Sequence, residues 1–284
     1  MSDRLDVRKT YKLVINGAFV RSESGRSYEV RNAAGEFWAN VAQGSRKDVR
    51  DAVKAARAAQ AGWWSATAYN RGQVLFRLAE MAEARREELS QHVAAAEGVG
   101  EAEARASVAR GIDRIVWYAG WTDKVAQVLG GANPVAGPFF NFSLPVPSGV
   151  VAVLAPQGSS FEGFVDTVLA PLAVGNAVVV ATSEARPTPG LLLGEMSATS
   201  DFPAGVLNVI SGLTRELAPT LASHEDVDGL DLDGAGDDHD ELAGAAANSI
   251  KRVRRASAGD YAASSTSRLR SFVETSTVWH TIGR

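Results

Sequence analysis

The spacing of apolar positions changes several times along this chain. Residues 12–20, Lys-Leu-Val-Ile-Asn-Gly-Ala-Phe-Val, place two short apolar runs on either side of Asn16-Gly17. That dipeptide readily adopts the left-handed backbone of a tight hairpin, so the segment predicts a β-ribbon. From Lys47 the spacing turns helical, with Val49, Val53 and Ala56 on one face and charges on the other. Two longer helices are expected over 70–97 and 101–129, the first with Val74, Leu75, Leu78, Met81 and Ala82 in one stripe. Trp117, Tyr118 and Trp121 fall at helical spacing and read as core filling. Residues 130–147 hold four prolines and three glycines between aromatics, which leaves a loop and an exposed strand and marks a boundary.

Beyond that boundary, strands and helices alternate. Strands are expected at 150–154, 177–181, 206–210, 229–232 and 251–254, with helices at about 161–173, 190–198, 214–223 and 241–248 between them. Connections of that length are crossovers, so the fold class is α/β, with a doubly wound, mostly parallel, Rossmann-like sheet behind an N-terminal helical region. Three segments follow: a ribbon and helices over 1–137, the α/β core over 138–259, and a linker with a C-terminal strand over 260–284. The linker rests on Ala262-Ala-Ser-Ser-Thr-Ser, and the strand on the alternation of Thr277-Val-Trp-His.

Composition narrows the function. A net charge of −4, with cations scattered among acids, gives no footprint for nucleic acid or an anionic membrane. No apolar run approaches the roughly 20 residues of a membrane span, and the polar start lacks the apolar core of a signal peptide, so a cytoplasmic location is expected. The chain contains no cysteine, which removes disulfides and any thiolate nucleophile.

Several phrases, taken in order, resemble the aldehyde dehydrogenase superfamily over nearly the whole chain. They are Val14-Ile-Asn-Gly-Ala-Phe-Val, Asp48-Val-Arg-Asp-Ala-Val-Lys-Ala-Ala-Arg-Ala-Ala, Pro147-Ser-Gly-Val-Val-Ala-Val-Leu-Ala-Pro156, Leu172-Ala-Val-Gly-Asn-Ala-Val-Val-Val and Phe202-Pro-Ala-Gly-Val-Leu-Asn-Val-Ile-Ser-Gly212. Leu221-Ala-Ser-His-Glu-Asp-Val-Asp continues the series, and Ser276-Thr-Val-Trp-His-Thr-Ile-Gly resembles the family's C-terminal strand. In that family this strand belongs to the ribbon that makes subunit contacts.

The family's chemistry implies a cysteine nucleophile, an oxyanion donor, a carboxylate base and a nicotinamide cofactor. The oxyanion asparagine falls within Gln157-Gly-Ser-Ser160, which has none. The lysine that holds the cofactor ribose corresponds to Ala181, while the acid three positions on survives as Glu184. The family's pyrophosphate turn corresponds to Leu232-Asp-Gly-Ala235, where Asp233 is expected to repel phosphate and a serine hydroxyl is missing. Glu184 and Gly234 are therefore the cofactor-binding positions that survive. The base corresponds to Ala256. The catalytic domain that follows Gly259 in the family is replaced here by the short linker. The pattern resembles the degenerate second module of class 16 aldehyde dehydrogenases. No catalytic residue and no resident cofactor are expected, NAD(P) being the family's ligand for this fold.

Other constellations have plainer readings. Asp231, Asp233 and Gly236 match three positions of a calcium loop, but Ala235 and Leu242 occupy ligand positions, so a solvated strand-to-helix loop is expected. Gly158-Ser-Ser-Phe-Glu-Gly163 lacks the spacing of a nucleophile turn, and Ser159 or Ser160 is expected to cap a helix. His92, His224, His239 and His280 show no metal-ligand spacing and read as surface or boundary residues, so no metal is expected. The basic run Lys251-Arg-Val-Arg-Arg255 reads as a strand facing an acidic partner surface.

The expected function is thus a non-catalytic structural or regulatory subunit, docking through its β-ribbons on a catalytic aldehyde dehydrogenase or on itself. The alternatives are an oxidoreductase acting on aldehydes with NAD(P) as acceptor, and a dinucleotide-binding sensor.

Overall fold

The computed structural model describes residues 9–255, 261 and 265–282. Five strands open it: β1 (Thr10–Tyr11), β2 (Leu13–Ile15), β3 (Ala18–Val20), β4 (Ser27–Arg31) and β5 (Phe37–Ala42). Asn16 at φ 53° and Gly17 at φ 71° make the β2–β3 turn as the dipeptide implies. The β1-β5-β4 sheet has no counterpart in the expected elements.

Helix α1 (Arg46–Ser65) starts at a capping box. The Asp48 amide donates to Ser45 Oγ, and the Ser45 amide donates to the Asp48 carboxylate. The helix expected over 70–97 is two helices, α2 (Ala68–Ala84) and α3 (Arg86–Glu97), broken at Arg85 with φ −110° and ψ 22°. No proline or glycine marks this break. It lets α3 bury Leu89 and Val93 against α4, and a straight helix would carry them off that surface. The helix expected over 101–129 likewise ends early, as α4 (Glu101–Trp121), and resumes after a turn as α5 (Val125–Leu129).

The remaining elements are β6 (Gly131–Asn133), β7 (Phe139–Pro147), β8 (Val150–Leu154), α6 (Glu162–Ala173), β9 (Ala177–Ala181), α7 (Thr188–Ser197), β10 (Leu207–Ile210), α8 (Thr214–Ser223), β11 (Gly229–Asp231), α9 (His239–Ala247), β12 (Arg252–Arg254), α10 (Ser267–Ser271) and β13 (Val273–Thr281). The strands alternating with helices after residue 150 lie as their sequence implies. They form a sheet of order β12-β11-β8-β9-β10-β2-β3, parallel from β12 to β10. The β2–β3 ribbon continues it antiparallel, through Val209 opposite Val14.

Successive residues of a strand face opposite sides, so both faces of this apolar sheet need cover. Val151, Val153, Val178 and Val180 pack with Phe164, Val168 and Leu192 on one side. Val150, Ala152, Leu154 and Val179 pack with Val53, Ala56, Leu217 and Leu221 on the other. A third sheet, β13-β7-β6, stands apart from this core. Its β13 pairs antiparallel with β7 over nine residues, from Val273 opposite Pro147 to Thr281 opposite Phe139, so the C-terminal strand covers one edge of the exposed one.

Of the aromatic residues at the end of α4, Tyr118 is fully buried in the core, and Trp117 and Trp121 pack against it partly buried. Ala256 and most of the expected linker lie outside the described residues. Among the described residues, no helix is long and apolar enough to cross a membrane.

Candidate functional site

In the parallel sheet the chain runs outward from β8 through β9 to β10, then returns to place β11 on the other side of β8. Ligands in open α/β sheets bind at such a reversal, beyond the carboxyl ends of the strands. Two loops meet there: residues 155–160 after β8 and 232–235 after β11.

These loops press against each other. The Gly234 amide donates to Leu154 O at 2.9 Å, and a β-carbon at Gly234 would lie 2.0 Å from Ala155 O. Gly234 is thus required by the approach of two backbones. Gln157 bridges the same strand ends: its Nε2 donates to Ala155 O at 3.1 Å and Gly234 O at 3.5 Å, and its Oε1 accepts from the Glu184 amide at 3.0 Å. Arg186 closes the outer side by donating to Gly158 O at 2.8 Å.

Glu184, the other position expected to face a cofactor, points its carboxylate at the start of α8, where Oε2 accepts from the Thr214 amide at 2.9 Å. Its backbone oxygen accepts from the Tyr28 hydroxyl at 3.0 Å. A carboxylate on a helix N-terminus satisfies an unpaired amide and meets the positive end of the helix dipole. Glu184→Ala is therefore expected to lower stability by about 1 kcal/mol through loss of this cap, measured by urea unfolding.

The N-cap position of α6 is Phe161 and not a serine, although Ser159 Oγ accepts from the Gly163 amide in the first turn at 2.8 Å. Ser160 turns the other way, its amide and hydroxyl both donating to Glu97 Oε1 at 2.6 Å.

The acidic segment is solvated from Gly236 on, with Asp240 and Glu241 in the first turn of α9 as expected, but its first two acids are not. Asp231 is fully buried, and the Asp233 carboxylate is 1% exposed. Arg268, on α10, reaches between three carboxylates: Asp166 at 2.9 Å, Asp231 at 2.5 Å and Asp233 at 2.5 Å. Arg254 lies 3.3 Å from Asp233, and Arg114 lies 3.0 Å from Asp166. The Tyr118 hydroxyl donates to Asp166 at 2.7 Å, and Arg114 donates to Tyr261 O at 2.8 Å. Burial pushes the Asp231 carboxyl up to about 6, with Arg268 pulling it down and Asp233 adding to the rise. Burial disfavours the charged Arg268, yet Asp231, Asp233 and Asp166 together hold it above the ordinary arginine range. The Asp233 charge expected to repel phosphate is thus neutralised by arginines.

The basic run forms strand β12 as read, and two of its cations are paired within the chain, Arg252 with Glu274 at the surface and Arg254 with Asp233. One further expectation is corrected by burial. His92 is no surface residue: it is 8% exposed, between Tyr11 and Trp38.

The ion network escaped the sequence reading because its members lie on distant elements. One signal was available. Asp166 is the one charge within the otherwise uncharged stretch Gly163–Ala173, and a buried carboxylate demands a cationic partner. Among the described residues, no cluster of His, Asp or Glu is arranged to hold a metal ion.

The family whose model matches the chain is the aldehyde dehydrogenase family, over residues 19–263. Aldehyde dehydrogenase family 2 member B4, mitochondrial, of Arabidopsis thaliana is 35% identical over 242 residues, which are 84% of this chain and 44% of that protein. The 2-hydroxymuconic semialdehyde dehydrogenase of a Pseudomonas species is 34% identical over 252 residues, 86% of this chain and 51% of that one. An aldehyde dehydrogenase from Bacillus cereus, solved as its NAD+ complex, superposes with a TM-score of 0.82 at 28% identity, covering 87% of this chain and 50% of its own. The chain spans about half the length of the relatives it matches.

Proposed function

Because the chain belongs to the aldehyde dehydrogenase family, we propose that it is a non-catalytic member, a structural or regulatory subunit that docks on a catalytic NAD(P)-dependent aldehyde dehydrogenase. The closed end of the sheet carries this reading. The loops after β8 and β11 are in backbone contact, and Arg268 fills the space beside them with ion pairs. This chain supplies no thiol for addition to an aldehyde.

The residues here do not fit a dinucleotide. Ala181 offers no donor to a ribose, the Glu184 carboxylate is held by α8, and Gly234 is packed on Ala155. Docking falls instead to the β13-β7-β6 sheet. It exposes Phe139, Phe140, Leu144, Val278 and Trp279, and the outer edge of β13 has no partner strand among the described residues. A nine-residue edge strand with exposed aromatic residues is a template for pairing with another chain.

The test is capture of a full-length aldehyde dehydrogenase from native extract by the tagged chain, with aldehyde-dependent NAD(P) reduction assayed in the eluate. Stoichiometric capture, abolished by Trp279→Glu, is the expected result. A chain that stays monomeric and captures no dehydrogenase refutes the docking role. The second reading, an aldehyde oxidoreductase with NAD(P) as acceptor, draws support from relatives that are named as dehydrogenases. It predicts reduction of NAD(P) by the purified chain alone.

A further inference from the structure

His92 is held between two aromatic side chains of the β1-β5-β4 sheet. Trp38 Nε1 donates to His92 Nδ1 at 3.2 Å, and His92 Nε2 lies 3.0 Å from the Tyr11 hydroxyl. An indole N–H can only donate, so Nδ1 is the bare nitrogen and the single proton of the neutral ring sits on Nε2. That proton points at Tyr11 Oη, which is therefore an acceptor in this pair. The phenolic proton is left without an acceptor among the described residues. Tyr11 is 6% exposed, and a donor so buried is nearly always satisfied in a folded protein.

Tyr11 and His92 line a cavity of about 400 Å³, whose wall also includes Trp38, Lys9, Asn32 and Glu36. That volume suits a small organic molecule. The other polar groups of the wall already have partners. Lys9 Nζ lies 2.5 Å from Glu195, and Asn32 accepts from the Ala34 and Glu36 amides while donating to the Glu36 carboxylate. Charge further restricts the occupant. With Lys9 held by Glu195, the Glu36 carboxylate is the uncompensated charge among the described residues of the wall and repels an anion, while a cation would give up its hydration for a single carboxylate already bonded to Asn32. An unpaired O–H donor beside the Trp38 ring, on a wall whose other polar groups are paired, calls for one acceptor oxygen on a compact uncharged body.

We propose that this cavity binds a small uncharged molecule through a carbonyl oxygen, which accepts the Tyr11 hydroxyl proton. The site lies on the N-terminal sheet and stands independently of the docking role.

Cyclohexanone, cyclohexanecarboxylate and cyclohexylammonium form a matched series of neutral, anionic and cationic probes. Titration of the full chain with cyclohexanone is expected to shift the Trp38 indole and His92 ring-nitrogen resonances along a saturable curve. The two charged analogues are expected to bind at least tenfold more weakly. Tyr11→Phe should weaken cyclohexanone about tenfold, the scale of one hydrogen bond. Absence of a saturable shift, equal binding by the charged analogues, or unchanged affinity in Tyr11→Phe overturns the proposal. If Tyr11→Phe does not fold, the comparison of the three probes on the unmodified chain decides it.

Discussion

Arg268→Met is expected to reduce the unfolding free energy by about 3–5 kcal/mol, the usual result of removing one side of a buried ion network. Arg268 is 3% exposed and touches Asp166, Asp231 and Asp233 within 2.9 Å. Methionine fills much of the same volume, so the loss comes mainly from charge. Among the described residues, Arg114 and Arg254 would remain as the cations beside three buried carboxylates. Arg270, exposed on the same short helix, is the control, and Arg270→Met should change stability by less than about 0.5 kcal/mol. Urea unfolding at pH 7 measures both. Because α10 leads directly into β13, Trp279 fluorescence should show the β13-β7 pairing loosening at lower urea than the core in Arg268→Met. A loss below about 1 kcal/mol would mean that packing, not the network, anchors α10.

Acid should destabilise the protein through His92 by about 3 kcal/mol between pH 6.5 and pH 4. Burial holds this imidazole down to about 4 in the folded chain, against 6.5 when unfolded; Glu88 opposes the shift, and Lys9 and Arg85 add to it. The unfolded chain therefore takes up the proton first as pH falls. The contribution is complete above pH 6.5 and is lost as pH falls through the folded value near 4. Asp231 works with the opposite sign. Its folded pKa is raised to about 6, so the folded chain takes up that proton first and gains stability as pH falls from about 6 toward 3.8. The overall pH profile is a difference of opposed effects, and His92→Gln separates them. Its amide can still accept from Trp38 and donate to Tyr11, but it does not titrate. Unfolding free energies of both proteins at pH 7 and pH 4.5 should diverge in favour of the variant at the lower pH. Parallel curves would show that His92 is not held neutral by burial.

Much of the architecture was legible because it rests on local rules. The Asn16-Gly17 turn follows from backbone preference at two positions. The apolar runs at Val150–Leu154 and Ala177–Ala181 are long enough for strands buried on both faces, and the helices between them force parallel crossovers. The order of these phrases was enough to indicate the family.

What resisted reading depends on where distant residues meet. Nothing near Arg85 announces a break, because its cause is the position of α4. Acids at 231 and 233 look like a solvated loop until Arg268, more than thirty residues away, is placed between them. Glu184 looks like a surviving ribose contact until α8 brings the Thr214 amide to it. His92 gains its tautomer, and Tyr11 a hydroxyl proton without an acceptor among the described residues, only when the β1-β5-β4 sheet assembles against α3. The sequence by itself determined the alternating strands and helices after residue 150, their parallel character and the missing thiol, since periodicity, turn chemistry and composition are properties of neighbouring residues or of the chain as a whole. The tertiary structure alone decided which charges are paired, which donors lack acceptors and whether the end of the sheet is open. Those depend on burial and on distances between side chains that are far apart in the chain.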